Sequence, residues 1–199
     1  MSKKEFRAGY FPGQFRAVED NENLQLSGYF IRYNEPTELS PDYIELVTRD
    51  AINRSLKEID IRCLFNHNTG QVLGRCGNGT LTLKSDDKGL WGTVTINRAD
   101  SEAIAVYERV KRGDINGCSF GFYPVSTEYT DREDGKVEAR LTDIDLFEVS
   151  IVTFPAYPQT EIKARNQDLA DYKSELLEAK KLKIKETLNY EPNYFSESH

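Results

Sequence analysis

Histidine is nearly missing from this chain: two occur in 199 residues, and one of them, His199, is the last residue. Any chemistry in the folded body that needs an imidazole must therefore use His67. Cysteine is almost as scarce. Cys63, Cys76 and Cys118 form an odd, widely spaced set with no CxxC pair and no Cys/His cluster. Neither a zinc site nor a disulfide framework is expected from them, and they read as three reduced thiols of a cytosolic protein. An excess of basic charge is also absent. Lys and Arg number 26 against 33 Asp and Glu, a formal net charge of −7, which argues against a nucleic-acid partner because phosphate contacts need clustered cations. No apolar run approaches the roughly 20 residues needed to cross a bilayer. The basic start, Met1 to Arg7, has no apolar segment behind it and does not read as a secretory signal. No metal-ligand set is present and no cofactor is implied.

What is present reads as a soluble α+β protein. Hydrophobic residues make up 38% and charged residues 30%, and the length suits one domain of ordinary size with a tail. We expect a domain over 1–165 and an appended helix and loose tail over 166–199. Strands are expected at 24–31 and 43–47, followed by a helix with Thr48 or Asp50 near its start and Ala51, Ile52, Ser55, Leu56 and Ile59 on one face. Residues 60–67 alternate at period two, which would put Ile61, Cys63, Phe65 and His67 on one face. A meander at 79–84 and 90–96 is joined by a turn at 86–89. The clearest helix runs from Ser101 to Arg112, with Asp100 or Ser101 as its cap, cations in its last turn and Gly113 after it. Further strands are expected at 119–129, 137–144 and 146–154, the last stopped by Pro155. Residues 168–187, acidic early and basic late, read as one solvated helix.

The residue types that acyl-transfer chemistry uses are present, each at the end of or inside an expected strand. Ser119 opens a strand between Gly117 and Gly121, so another chain can approach it closely, while Phe120 and Phe122 face the core. A serine beside glycines is unspecific in itself. Its hydroxyl is a weak nucleophile that needs a base, and His67, where a strand hands over to a loop, is the internal candidate. A third group should orient that imidazole. Glu148 shares a face with Ser150 inside the apolar run Leu146 to Val152, where a carboxylate is costly unless paired. It reads equally well as a solvent-facing residue of an edge strand, and Asp143 and Asp145 are rival carboxylates.

The strings 64–67 (LFNH), 72–75 (VLGR), 111–122 (KRGDINGCSFGF) and 146–157 (LFEVSIVTFPAY) occur in this order. Over about residues 24–165 they resemble the HK97-type prohead serine proteases of tailed phages and prophages. The resemblance implies an antiparallel β-barrel core flanked by a few helices, similar to herpesvirus assemblins, with a C-terminal helical tail. It implies a serine endopeptidase acting inside the assembling prohead in the bacterial cytoplasm. Its substrates would be scaffold or the scaffolding segment of the major capsid protein precursor, and finally itself. Its histidine falls on His67 and its serine on Ser119. The third member is a second histidine in assemblins, which this chain lacks, and Glu148 is the choice here. Backbone amides near Gly74 and Arg75 are candidates for an oxyanion hole. Such a protein could self-associate, and the helix at 168–187 would be either a packaging or self-processing segment or an ordinary surface helix. A catalytically silent capsid-assembly protein of the same fold is the alternative.

Overall fold

The computed structural model describes residues 4–9, 15–20, 23–154 and 170–183. Residues up to Pro158 form one compact unit and Gln159–His199 a second. The first carries a mixed sheet built around two long strands, β10 (Gly117–Asp131) and β11 (Val137–Val152). They form an antiparallel hairpin closed over the turn at Gly135, whose φ of 81° suits glycine. β1 (Glu5–Gly9) lies antiparallel along the outer edge of β10. On the far side of β11 two strands divide its length. β5 (Tyr43–Val47) runs parallel to Val137–Leu141, and β6 (Arg62–Phe65) runs parallel to Glu148–Ile151. β4 (Thr37–Ser40) extends the sheet from β5, and β7 (Asn68–Arg75) extends it from β6.

The second sheet is antiparallel, in the order β2 (Arg16–Asp20), β3 (Asn23–Arg32), β9 (Gly89–Ile96), β8 (Leu81–Ser85). One bridge, Tyr33 to Val47, links the chain of β3 to the first sheet. The expected closed barrel is therefore not found among the described residues: the strands make two open sheets of seven and four. Because β5 and β6 each take half of β11 in parallel register, the sheet spreads in two directions and does not roll round to meet β1. Parallel pairs also come in where a mainly antiparallel core was expected.

One core cluster draws on both sheets, with Leu26, Phe30 and Val94 from the second and Phe122, Leu146 and Val149 from the first, all at 1% exposure or less. Each such side chain contributes about 1.5–3 kcal/mol on burial. Helix α2 (Ser101–Arg112) adds Ala103, Val106, Tyr107 and Val110 to it. It begins as expected: the Asp100 carboxylate accepts from the N–H groups of Glu102 (2.9 Å) and Ala103 (3.2 Å), and Gly113 ends it at φ 88°.

Two local expectations need correction. Residues 49–59 form not one helix but a 3₁₀ turn at Arg49–Ile52 and a single helical turn, α1, at Ser55–Glu58. The apolar face is nonetheless as expected, with Ala51 and Ile52 buried and Leu56 and Ile59 against the core. Ser55, fully buried, donates to the carbonyl of Ile144 (2.6 Å) and accepts from the N–H of Leu146 (2.9 Å). The expected interruption between 144 and 146 is missing, and β11 runs through unbroken. Asp145 is tolerated inside it because Arg54 pairs with it at 2.6 Å. Residues 170–183 are helical and mostly exposed, with a Glu178–Lys181 pair at 3.0 Å on the surface; the segment after Phe154 that was expected to stop the last strand lies outside the described residues.

Candidate active site

The pairing register puts the candidate residues on one sheet face. Ser119 lies opposite Ser150 and Gly121 lies opposite Glu148 across the β10–β11 ladder, and directly opposed residues share a face. Phe120 and Phe122 point the other way and stack at 5.4 Å in the core, as expected. β6 continues the face with Arg62 beside Glu148 and Leu64 beside Ser150.

His67 does not continue the period-two face of Ile61 and Cys63. Asn66 and His67 both adopt left-handed backbone, at φ 50° and 58°, which turns the chain between β6 and β7. The imidazole then lies with Arg62, Leu64, Phe147 and Glu148 around a cleft of about 280 Å³. Asn66 holds this turn: its Nδ2 donates to Thr153 Oγ1 (3.2 Å), and its Oδ1 accepts from the Thr153 N–H (2.9 Å). Two adjacent left-handed residues, neither of them glycine, are uncommon, and such backbone is held at a cost where the surroundings fix it.

Glu148 is 3% exposed and its Oε1 lies 2.6 Å from His67 Nδ1. Its other oxygen, Oε2, accepts from Ser150 Oγ at 2.6 Å, and the same hydroxyl oxygen accepts from the His67 N–H at 3.2 Å. Ser150 thus ties the carboxylate and the backbone of His67 together. In the sequence Ser150 stands out only as sharing a face with Glu148, which does not signal this role. A carboxylate on Nδ1 fixes the neutral ring as the Nδ1–H tautomer, leaving Nε2 as the basic atom, and would stabilise the cation formed when Nε2 takes a proton. Gly121 makes room for this pair: a Cβ there would come within 2.5 Å of Glu148 Oε1 and 2.8 Å of the Phe147 ring.

Asp143 and Asp145 are not partners of His67; both carboxylates engage Arg54, at 3.1 Å and 2.6 Å. The Arg75 N–H donates to Thr80 Oγ1 at 2.9 Å and its guanidinium engages Asp60, so that amide is not free to serve as an oxyanion donor. Among the described residues no cluster of His, Cys, Asp and Glu could hold a metal ion. Cys63 lies fully buried in β6, and its thiol is pushed far above the ordinary range, first by burial and then by the nearby Glu148 charge.

Ser119 is fully buried, and its hydroxyl donates to the backbone carbonyl of Arg7 at 2.7 Å. Its one proton is therefore directed at β1 and not at His67. Phe6 of the same strand covers the imidazole edge-on at 4.5 Å and stands 6.2 Å from Phe147. Nothing in the sequence signalled this cover, because Phe6 and Arg7 belong to a short segment with no motif.

The sequence profile of the caudovirus prohead serine proteases matches residues 13–175. No curated protein matches the chain. Among solved structures the fold is similar to that of the bacteriophage T4 capsid assembly protease, with a TM-score of 0.52 at 13% identity over 77% of this chain and 98% of that one. The match takes in β2 through β11 and with them His67, Ser119 and Glu148, and on it the chain belongs to the caudovirus prohead serine protease family.

Proposed function

We propose that this chain is a serine endopeptidase of prohead maturation, with Ser119 as nucleophile, His67 as general base and Glu148 as the group that orients His67. The observation that carries the reading is the buried Glu148 carboxylate bonded to His67 Nδ1 on the face that bears Ser119. Once the Ser119 hydroxyl is free of the Arg7 carbonyl, Nε2 of His67 would take its proton as the oxygen attacks a peptide carbonyl. The tetrahedral intermediate would collapse to an acyl-enzyme, with His67 returning the proton to the leaving amine, and water would repeat the steps to release the acid. A positioned base of this kind contributes about 10²–10⁴-fold.

The substrates are scaffold or the scaffolding segment of the capsid protein precursor, and the chain itself, inside the assembling prohead of an infected bacterium. Family membership supports that setting. The measurement is cleavage of the cognate capsid precursor by the unaltered chain and by Ser119→Ala. Loss of cleavage only in the variant is the expected result; equal cleavage overturns the assignment. A silent capsid-assembly role draws on one observation, the complete burial of Ser119. A fluorophosphonate reagent decides between them, because it labels an activated serine and spares a silent one.

A further inference from the structure

β1 is placed against the candidate nucleophile as a bound peptide would be. It pairs antiparallel with β10 from Glu5–Phe122 to Gly9–Cys118, at the edge of the sheet. Adding a strand to a sheet edge is a common way to hold an extended peptide, with main-chain hydrogen bonds giving affinity and side-chain pockets giving specificity. The carbonyl that meets the Ser119 hydroxyl, at 2.7 Å, belongs to Arg7. β1 also precedes the span that matches the family, which begins at residue 13.

The side chain of Arg7 has a built receptor. It is 8% exposed, and its guanidinium engages both oxygens of Glu45, with Nη2 at 2.7 Å from Oε2 and Nε on Oε1. Its Cζ lies over the Phe122 ring, 5.2 Å from the ring centroid. Glu45 is on β5, a strand buried along its whole length, and is itself 5% exposed. Arg7 also reaches Glu5, but that residue is part of β1 and would leave with it. If β1 vacated the edge, Glu45 would remain as a buried carboxylate without this counter-charge, which is unfavourable unless the incoming strand supplies another cation. The fork of a guanidinium suits a two-oxygen contact, and an ammonium can satisfy the charge alone.

We propose that β1 stands in for a substrate strand: the edge of β10 beside Ser119 binds an extended peptide, and Glu45 selects a basic side chain on the residue whose carbonyl meets Ser119. The inference rests on Ser119 being the nucleophile, and it adds a preference for cleavage after Arg or Lys. It also makes β1 an occupant that must leave before substrate enters, with Phe6 lifted from His67 in the same movement.

The test uses the full chain and fluorogenic octapeptides of the sequence Lys-Glu-Phe-Arg-Ala-Gly-Tyr-Phe, with the arginine kept or changed to Lys, Leu or Glu. Expected are kcat/KM values at least about tenfold higher for Arg and Lys than for Leu, and lower again for Glu. Glu45→Gln should reduce the Arg-to-Leu ratio to near one, and Glu45→Arg should favour the Glu peptide. In the full-length Arg7→Ala variant, β1 should hold the edge less well, and a fluorophosphonate should label Ser119 several-fold faster than in the unaltered chain. Equal turnover of the Arg and Glu peptides, or no turnover of any by a chain that still labels at Ser119, overturns the basic preference and leaves the nucleophile standing. Failure to label Ser119 in either form overturns both. If the Glu45 variants do not fold, the four peptides on the unaltered chain decide alone.

Discussion

The Ser150 hydroxyl links two groups that act on each other, donating to Glu148 and accepting from the backbone of His67. A single hydroxyl is thereby a positioning residue for the proposed base. Ser150→Ala removes one charge-assisted hydrogen bond, of about 1.5–3 kcal/mol, and should lower kcat about tenfold or more with KM little changed. Glu148→Gln keeps the shape but not the charge and should cost about 10²–10⁴-fold in kcat. Both are read from steady-state kinetics beside a thermal melt, and a fall of kcat that only follows lost folded protein would make these residues structural. Tyr107 poses the opposite case. Its hydroxyl is buried without a hydrogen-bond partner, whereas the other buried side-chain nitrogen and oxygen atoms among the described residues find one. Tyr107→Phe should thus be neutral or stabilising by up to about 1 kcal/mol in urea unfolding, because it removes an unsatisfied group at little change of volume.

At the scale of elements, the site depends on how β6 enters and leaves the sheet. Its exit is the left-handed pair Asn66 and His67. Its entry is pinned by Asp60, which receives Arg75 and the N–H of Gly77 at 2.8 Å. The hydrogen bond from Arg75 is the main reason the Asp60 carboxyl titrates below its ordinary range, with the Gly77 N–H assisting and burial opposing. A carboxyl depressed in the folded state contributes stability that is present above the unfolded value, about 4, and is lost as pH falls through the lower folded value. Asp60→Asn should accordingly be less stable than the unaltered chain at pH 7, with the gap narrowing as pH falls through the lowered folded value. A gap that stays constant across an acid titration followed by circular dichroism would show that the charge plays no part. Helix α2 behaves more simply: it begins and ends at the residues its cap and glycine mark, because capping is decided within a few residues along the chain.

At the scale of the whole molecule, the sheets join segments far apart in sequence. β6 and β5 pair in parallel with β11 from 86 and 94 residues away, and parallel pairing requires long connections. Such topology slows folding, and refolding should take milliseconds to seconds. Trp91, the single tryptophan, packs edge-on against Tyr29 at 4.9 Å and reports it by stopped-flow fluorescence; a microsecond phase carrying the full amplitude would contradict this. The same long-range pairing separates what was legible from what was not. By itself the sequence determined that only His67 could serve as an internal imidazole, that Ser119 and Gly121 share a face away from Phe120 and Phe122, and where α2 starts and stops. These follow from counting, from period two and from local capping. The tertiary structure alone decided that the sheets stay open, that Glu148 and not Asp143 or Asp145 meets His67, that Ser150 binds them together, and that β1 covers Ser119. Each of these depends on register between strands distant in sequence and on side chains that find a partner only once the strands are paired.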